Sequence, residues 1–270
     1  QIRMAPLNFS KEVFKKGGLM KNYFFNIIKD FLYEKGFYKK SKFDKSFILG
    51  ALIMSLTKKR EGDLLRIIQV GANDGVTSDY LSHFLKIYGE HISILFVEPQ
   101  INLKDQLILN TKNLCKKTSY AFVAVTKSTS QALKLFVPIK GKLPNSSLLA
   151  SFDKKQIIKR FKRFSKIKVP KLNKDYLALK VPQKNLFELA NEWDNNFKNR
   201  KICDVLIVDA EGTDDDVIYS LDDIKKLPDL ISFEWKNLTK QRYNKLENYL
   251  VSDGFKLIKW SKADAVAVRI

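Results

Sequence analysis

Residues 64–75 read Leu-Leu-Arg-Ile-Ile-Gln-Val-Gly-Ala-Asn-Asp-Gly, and this stretch changes character half-way along. Its first half is apolar and free of Gly and Pro, which is typical of a strand buried on both faces of a parallel sheet. Its second half, 71–75, contains residues that accept unusual backbone angles and can expose main-chain N–H groups. Apolar residues at helical spacing follow over 78–85, so we predict strand, glycine turn and helix in that order. Such a unit either cradles a nucleotide-sized ligand at the helix start or is a plain turn of an α/β protein.

Length and composition place the chain among globular proteins. Its 270 residues, 45% of them hydrophobic, can bury a full core, so we expect one α/β domain with an appendage. No apolar run approaches the roughly 20 residues that a membrane-spanning helix needs, and residues 1–20 show no secretory signal. Cys115 and Cys203 are the only cysteines, so we expect them to be reduced and structural. A cytoplasmic location fits these observations best.

The net charge of +20 suggests a polyanionic partner. However, 41 of the 49 basic residues are Lys, whereas proteins that read bases and phosphates rely on the bidentate fork of Arg. A nucleic-acid partner is therefore an alternative but is not favoured.

Hydrophobic periodicity divides the chain into two parts. Residues 1–60 carry amphipathic helical patterns and are predicted to form an N-terminal helical appendage. From residue 64 onward, strand-like and helix-like segments alternate. After the first unit, strands are predicted at 92–97, 121–125, 133–137, 202–208 and 230–234, helices at 103–110, 215–221 and 240–250, and a closing hairpin at 255–260 and 265–270. This alternation predicts a doubly wound, mostly parallel sheet with helices on both faces, which binds ligands at the carboxyl ends of its strands.

Acidic residues lie at several of these predicted strand ends. Glu98 follows the second strand, about 23 residues after the glycine turn, a spacing at which an acid commonly holds ribose hydroxyls. Asp209 and Glu211 follow another apolar strand, where carboxylates are better candidates for a site than for a solvated loop. Glu234 ends a further strand and is a weaker member of the group. The run 214–216 is more simply explained as negative charge at a helix start.

Three motifs together carry a family resemblance: Gln-Val-Gly-Ala-Asn-Asp-Gly (69–75), Val-Glu-Pro (97–99) and Val-Asp-Ala-Glu-Gly (208–212). In this order and at this spacing they resemble the FkbM-type methyltransferases. The resemblance implies a class I, Rossmann-like enzyme that depends on S-adenosylmethionine and methylates hydroxyl groups of sugars or natural products. It runs from about residue 64 to the C-terminus, so we assign 61–270 to the methyltransferase domain and leave 1–60 outside it.

The resemblance also implies roles for individual residues. In the family the glycine turn wraps the methionine part of the cofactor, the acid matching Glu98 takes the ribose, and the motif matching 209–212 faces the reaction centre. Many members have Asp where this chain has Gln69. The implied cofactor-binding residues are Gln69, Gly71, Ala72, Asn73, Asp74, Gly75, Asp79, Glu98, Pro99, Ala124 and Asp209.

The chemistry expected of such a site is simple. Methyl transfer from a sulfonium is an in-line displacement, so alignment supplies much of the acceleration. A hydroxyl acceptor also benefits from a base, and Asp209 or Glu211 is the predicted catalytic residue. The two histidines, His83 and His91, are interpreted as structural. Oxygen-rich clusters suit Mg²⁺, but no chelating spacing is present, so no metal ligand is assigned.

The stretch 151–171 is unusually basic, with nine Lys or Arg residues against the single acid Asp153. Its apolar residues recur at helical spacing, so we predict a basic amphipathic helix within an insertion at about 141–182. The substrate-binding candidates are Lys159, Arg160, Arg163 and Glu234. The helix is either a solvated face or an attractor for an anionic acceptor, such as a phosphorylated or acidic glycan, or for a membrane surface. An RNA methyltransferase and a non-catalytic polyanion-binding module are the alternative functions.

Overall fold

The computed structural model describes residues 63–77, 81–127, 132–139, 150–152, 154, 157–158, 175–194, 201–259 and 261–269. The predicted helical appendage at 1–60 and most of the basic stretch lie outside these residues. No helix within the described residues is long and apolar enough to cross a membrane.

The centre of the fold is a seven-stranded sheet. Its strands are β1 (Leu65–Val70), β2 (Ile92–Val97), β3 (Lys117–Ala121), β8 (Val205–Val208), β9 (Leu230–Glu234), β10 (Phe255–Lys259) and β11 (Asp264–Arg269), in the order β3-β2-β1-β8-β9-β11-β10. The first five in that order run parallel, whereas β11 runs antiparallel to both β9 and β10. The predicted doubly wound, mostly parallel sheet is therefore confirmed, and its closing hairpin contributes the antiparallel strand.

Four further strands form two small ladders beside this sheet. β4 (Ala124–Val125) pairs in parallel with β7 (Gln183–Lys184), and β5 (Leu133–Pro138) pairs antiparallel with β6 (Tyr176–Val181). Both ladders belong to the chain segment between β3 and the helix that precedes β8. Of these four strands, only β6 lies within the predicted insertion at about 141–182.

Helices cover both faces of the large sheet. They are α1 (Ser82–Tyr88), α2 (Lys104–Thr111), α3 (Leu186–Trp193), α4 (Asp214–Tyr219) and α5 (Lys240–Ser252). Side chains of α1 and α2 share one apolar core with one face of β1, while α3, α4 and α5 share a second core with its other face. Ile67 and Ile68 point into opposite cores and are both fully buried, as the continuous apolar run of this strand predicted.

Several predicted bounds are wrong, for identifiable reasons. The strand predicted at 121–125 is split, because β3 lies earlier in a polar, half-exposed edge segment that has no apolar pattern. The strand predicted at 202–208 begins only at Val205, although Ile202 and Cys203 are buried. The described part of the first helix begins at Ser82. Helix α3 was not predicted, even though Asn185 and Glu188 form a capping box at its start.

The strand order decides where a ligand can bind. Strand β1 pairs with β2 on one side and with β8 on the other, so the order of strands along the chain reverses at β1. In doubly wound sheets the crevice at such a reversal, beyond the carboxyl ends of the strands, is the usual ligand site. The loops after these strands carry the predicted site residues.

Candidate active site

The loops after β1 and β8 touch each other directly. Gly71 has a φ of +85°, and a Cβ placed on it would lie 2.0 Å from the carbonyl oxygen of Asp209. The main-chain N–H of Asp209 donates to the carbonyl oxygen of Val70 at 2.9 Å. Only glycine fits here, because both its backbone angle and the approach of the second loop exclude a side chain. The glycine therefore brings the turn and the Asp209 loop into contact.

The main-chain N–H groups of the glycine turn donate hydrogen bonds to acceptors within the protein. The N–H groups of Gly71 and Ala72 donate to the carbonyl oxygen of Val97 at 2.9 and 3.1 Å. Those of Val76 and Thr77 donate to the Asp74 carboxylate at 3.0 and 2.6 Å. The expectation that this turn exposes main-chain donors to a ligand is therefore wrong.

Glu98 joins the end of β2 to the glycine turn. Its side chain is only 3% exposed, and its two oxygens accept the N–H groups of Asn73 at 2.7 Å and Gln100 at 2.9 Å. Burial raises the pKa of this carboxyl, the two main-chain hydrogen bonds oppose that shift, and the charge of Asp209 adds to it. Glu98 thus shapes the turn as well as facing the crevice.

Three carboxylates meet beyond the ends of β8 and β9. One oxygen each of Asp209, Glu211 and Glu234 lies within 4.8 Å of the others. The side-chain nitrogen of Asn237 donates to Glu234 at 2.5 Å and to Glu211 at 3.4 Å. Glu211 has a φ of +54°, an unfavourable angle for a residue with a side chain, which aims it at this group.

This carboxylate group (Asp209, Glu211 and Glu234) contains the oxygen donors that Mg²⁺ prefers. The side-chain N–H group of Asn237 links two of these acids, Glu211 and Glu234.

Asp214 holds the loops that carry the carboxylate group. It is fully buried, and its two oxygens accept the N–H groups of Gly212 at 3.1 Å and Glu234 at 3.0 Å. Burial, followed by the charge of Asp209, raises the pKa of Asp214 well above its ordinary value. The interpretation of 214–216 as helix-start charge is thus incomplete. One of the three acids is a buried link between β8 and β9.

Arg242 of α5 forms hydrogen bonds with the segment that follows β8. Its Nη1 donates to the carbonyl oxygen of Gly212 at 2.9 Å, and its Nε donates to Asp215 at 2.8 Å. The pKa of this guanidinium is raised: burial opposes the shift, but Asp215 outweighs it. Sequence reasoning missed both Asp214 and Arg242, because three adjacent Asp residues look alike and Arg242 is 27 positions from its partner.

These elements enclose a cavity of about 280 Å³. Among the predicted site residues, its lining includes Gln69, Gly71, Ala72, Asn73, Glu98, Pro99, Ala124, Asp209 and Glu211. Asp74 and Gly75 are not among the described lining residues, and Glu234 takes part through the carboxylate group. Asp79, Lys159, Arg160 and Arg163 lie outside the described residues. Lining residues that were not predicted include Gln100, Leu135, Ser151, Phe152, Thr213 and Arg242.

Solved structures with a similar fold include methyltransferases and an RNA-processing protein. The fibrillarin pre-rRNA processing protein of Methanococcus jannaschii is 14% identical, with a TM-score of 0.42 over 84% of this chain and 75% of that one. An O-methyltransferase from Bacillus cereus in complex with SAH is 8% identical, with a TM-score of 0.40 over 96% and 94% of the two chains. A methyltransferase from Geobacter sulfurreducens is 9% identical, with a TM-score of 0.40 over 91% and 87%. Likeness at this level carries no inference about a substrate.

Among curated proteins, no sequence matches this chain. The model of the methyltransferase FkbM domain matches residues 69–257, which span the glycine turn, Glu98 and the carboxylate group. This match covers well over half of the chain. The chain therefore belongs to the FkbM methyltransferase family, whose members depend on S-adenosylmethionine.

Proposed function

We propose that this protein transfers the methyl group of S-adenosylmethionine to a hydroxyl group of a sugar, a glycan or a similar acceptor. The observation that carries the proposal is the carboxylate group beside the cavity. Carboxylates accept hydrogen bonds from hydroxyl groups, and one of them can remove the proton that a hydroxyl must lose on methylation. The two free cysteines support the cytoplasmic location that we propose with it.

The residues of the cavity fit such a cofactor. The Oδ1 atom of Asn73 is buried and has no hydrogen-bond partner among the described residues, so a donor on a ligand would satisfy it. Glu98 would hold the ribose hydroxyls, and Gln69 and Asn73 would hold the amino-acid part. When bound, the cofactor supplies an electrophilic methyl group on its sulfonium. The cavity that would receive it has a volume of about 280 Å³.

The chain's own residues then have two tasks. The glycine turn and Glu98 fix the position of the cofactor, since alignment of the reacting atoms lowers the barrier. Asp209 or Glu211 accepts the proton of the acceptor hydroxyl. Glu234 and Asn237 orient the acceptor through further hydrogen bonds. Asp209 borders both the glycine turn and the carboxylate group, so it would also contact a bound cofactor.

The proposal is tested with methyl-labelled S-adenosylmethionine and a panel of neutral glycans, acidic glycans and RNA. We expect label in a glycan fraction as a methyl ether, which survives alkali, whereas a methyl ester does not. Asp209→Asn or Glu211→Gln, whichever removes the base, should bind S-adenosylhomocysteine nearly normally in calorimetry. Once the acceptor is identified, turnover of the variant that lacks the base should be about 10²- to 10⁴-fold lower than turnover of the wild type.

Glu90→Gln is the matched control, because Glu90 is an exposed acid at the opposite edge of the sheet, before β2. It should change neither measurement. Failure of the wild type to bind S-adenosylhomocysteine would overturn the proposed function. Label found only in RNA would replace the glycan by RNA as acceptor. An equal loss of affinity and turnover in Asp209→Asn would make Asp209 a binding group rather than the base.

A further inference from the structure

Strands β8, β9 and β11 present a buried surface on the side of the sheet that also carries α1 and α2. Its six side chains stand in two cross-strand rows, and each row crosses all three strands. None of the six is more than 6% exposed. We call this surface the β8–β11 face: Val205, Ile207, Leu230, Ser232, Val266 and Val268.

The described helices do not account for this burial. Helix α1 joins β1 to β2 and α2 joins β2 to β3, so both lie over the β3 side of the sheet. A helix is about 10–12 Å wide and strands lie about 4.8 Å apart, so two helices cover about four strands. Counted from β3, β9 and β11 are the fifth and sixth strands. The apolar side chains of α3, α4 and α5 belong to the core on the opposite face.

The part of the chain outside the described residues offers one segment that suits this face. Only 1–62 and 159–174 among the undescribed segments exceed ten residues, and eight of the sixteen residues in 159–174 are Lys or Arg. Burial of unpaired charges is costly, so 159–174 does not suit an apolar face. In 1–62, the longest run without a charged residue is 46–57. Eight of the ten residues from Phe47 to Leu56 are apolar, as expected for a helix that is buried on all sides.

The connection to β1 places this segment within reach of the β8–β11 face. Residues 57–62 join it to Asp63, just before β1, and six residues span at most roughly 20 Å. The farthest strand of the face, β11, lies three strands from β1, or about 14 Å away. A helix over 43–56 would be about 21 Å long, close to the length of about 20 Å expected for the six residues of β11. Reach and length therefore both match.

We propose that residues 43–56 form a helix that packs on the β8–β11 face. This inference goes beyond the proposed function, because it needs neither the cofactor nor the acceptor. It makes the segment part of the core of the methyltransferase domain, so the folded unit begins well before residue 61. Strands β8 and β9 carry the carboxylate group at their ends, so the segment also supports the two strands that present these acids.

Disulfide formation in the full chain tests the inference. Ser232→Cys places a thiol on the central strand of the face, and a second cysteine replaces each residue from 48 to 55 in turn. Two cysteines join only when their Cβ atoms lie about 3.5–4.5 Å apart. We expect mild oxidation to link position 232 to positions that are three or four residues apart, the spacing of one helix face. Mass spectrometry of the unreduced peptides identifies each link.

Ile231→Cys is the matched control, because residue 231 is the neighbour on the same strand and faces the opposite core. With the same second cysteines it should form no link. If no position from 48 to 55 links to 232, or if 231 and 232 link equally, the inference is overturned. Links found only between two chains would also overturn it, because a second copy would then supply the covering helix.

A charge placed in the segment gives a second test. In Ser232→Cys the new thiol should react slowly with a thiol reagent, since position 232 is buried. Adding Leu52→Asp should detach the segment and raise the labelling rate at 232 by at least about 10-fold. Cys203, which is buried in the opposite core, should stay protected. Leu109→Asp, at a 64% exposed site on α2, is the control and should change neither rate. Protection of 232 that survives Leu52→Asp would contradict the inference.

Discussion

At the scale of single residues, Glu98 serves both the fold and the ligand. Each of its oxygens accepts one main-chain N–H, from Asn73 or from Gln100. A carboxylate has about four acceptor positions, so it can receive ribose hydroxyls as well. Deleting this side chain therefore disturbs the turn and the ribose contact together, and an experiment has to separate the two.

We expect Glu98→Ala to weaken 5′-methylthioadenosine by about 1.5–3 kcal/mol, the range for a hydrogen bond to a charged group. Calorimetry on the wild type and the variant measures this loss. Repeating it with the 2′-deoxy form of the ligand separates the two roles, because that ligand lacks one ribose hydroxyl. Glu98→Ala should reduce the binding free energy of the deoxy ligand by clearly less than that of 5′-methylthioadenosine. Equal losses for the two ligands would show that Glu98 acts only by shaping the turn.

Spacing in the sequence predicted some of these residues and could not predict others. Glu98 follows from the interval between a glycine turn and the next strand end. Asp214 could not be distinguished from Asp215 and Asp216, because the feature that sets it apart is the hydrogen bond that it accepts from the distant N–H of Glu234. Phe152 had no local signal, since its place in the cavity wall depends on the pairing of its neighbour Ser151 with Phe136.

At the scale of elements, the buried Asp214 carboxyl ties the start of α4 to the ends of β8 and β9. Its pKa is raised by burial and by Asp209. A carboxyl with a higher pKa in the folded than in the unfolded protein binds protons more tightly when folded. The free energy of unfolding therefore falls as the pH rises from about 3.9, the ordinary Asp value, through the raised pKa.

We expect Asp214→Asn to remove this pH dependence. The amide accepts through one oxygen only, so either Gly212 or Glu234 loses a partner, at a pH-independent cost of about 1–3 kcal/mol. Relative to the wild type, the variant should be least stable in acid. As the pH rises, the difference in free energy of unfolding between the variant and the wild type should shrink, by at most about 1.4 kcal/mol per pH unit. Urea unfolding between about pH 4 and 8 measures both proteins, and Asp105→Asn, at an exposed site on α2, is the control. Parallel profiles for Asp214→Asn and the wild type would contradict the assignment.

Apolar periodicity predicted elements well where burial is complete. Strand β9 has its predicted bounds, and β1 and β2 are apolar on both faces. Strand β3 was misplaced because an edge strand of the sheet, Lys-Thr-Ser-Tyr-Ala, is half-exposed and needs no apolar run. The two small ladders pair residues 38 to 59 positions apart, and no local pattern encodes such a partner.

At the scale of the whole molecule, charge is distributed unevenly. The chain carries a net charge of +20, yet Asp209, Glu211 and Glu234 gather at the cavity. The long-range field attracts anions, whereas the reaction centre disfavours them. An anionic acceptor would therefore present a neutral hydroxyl to the carboxylate group and keep its own charge away from these acids.

The basic stretch 151–171 is our candidate for that attraction. We expect replacement of Lys159, Arg160, Lys162 and Arg163 by Gln to leave the melting temperature and S-adenosylhomocysteine affinity nearly unchanged, because exposed charges contribute about 0–1 kcal/mol per pair. Affinity for heparin, as a probe anionic glycan, should fall at low salt. The slope of log affinity against log salt should flatten by up to about three when four cations are removed.

A matched quartet makes this salt experiment specific. Four exposed lysines at the opposite, amino edge of the sheet serve as the control: Lys86, Lys112, Lys116 and Lys117. Their replacement by Gln removes the same charge from the whole molecule but none from the cavity side. If both variants lose heparin affinity equally, the attraction is a property of net charge alone and the basic stretch has no special role. If the first variant loses affinity for single-stranded RNA but keeps its affinity for heparin, the basic stretch favours nucleic acid. The acceptor search should then turn to RNA.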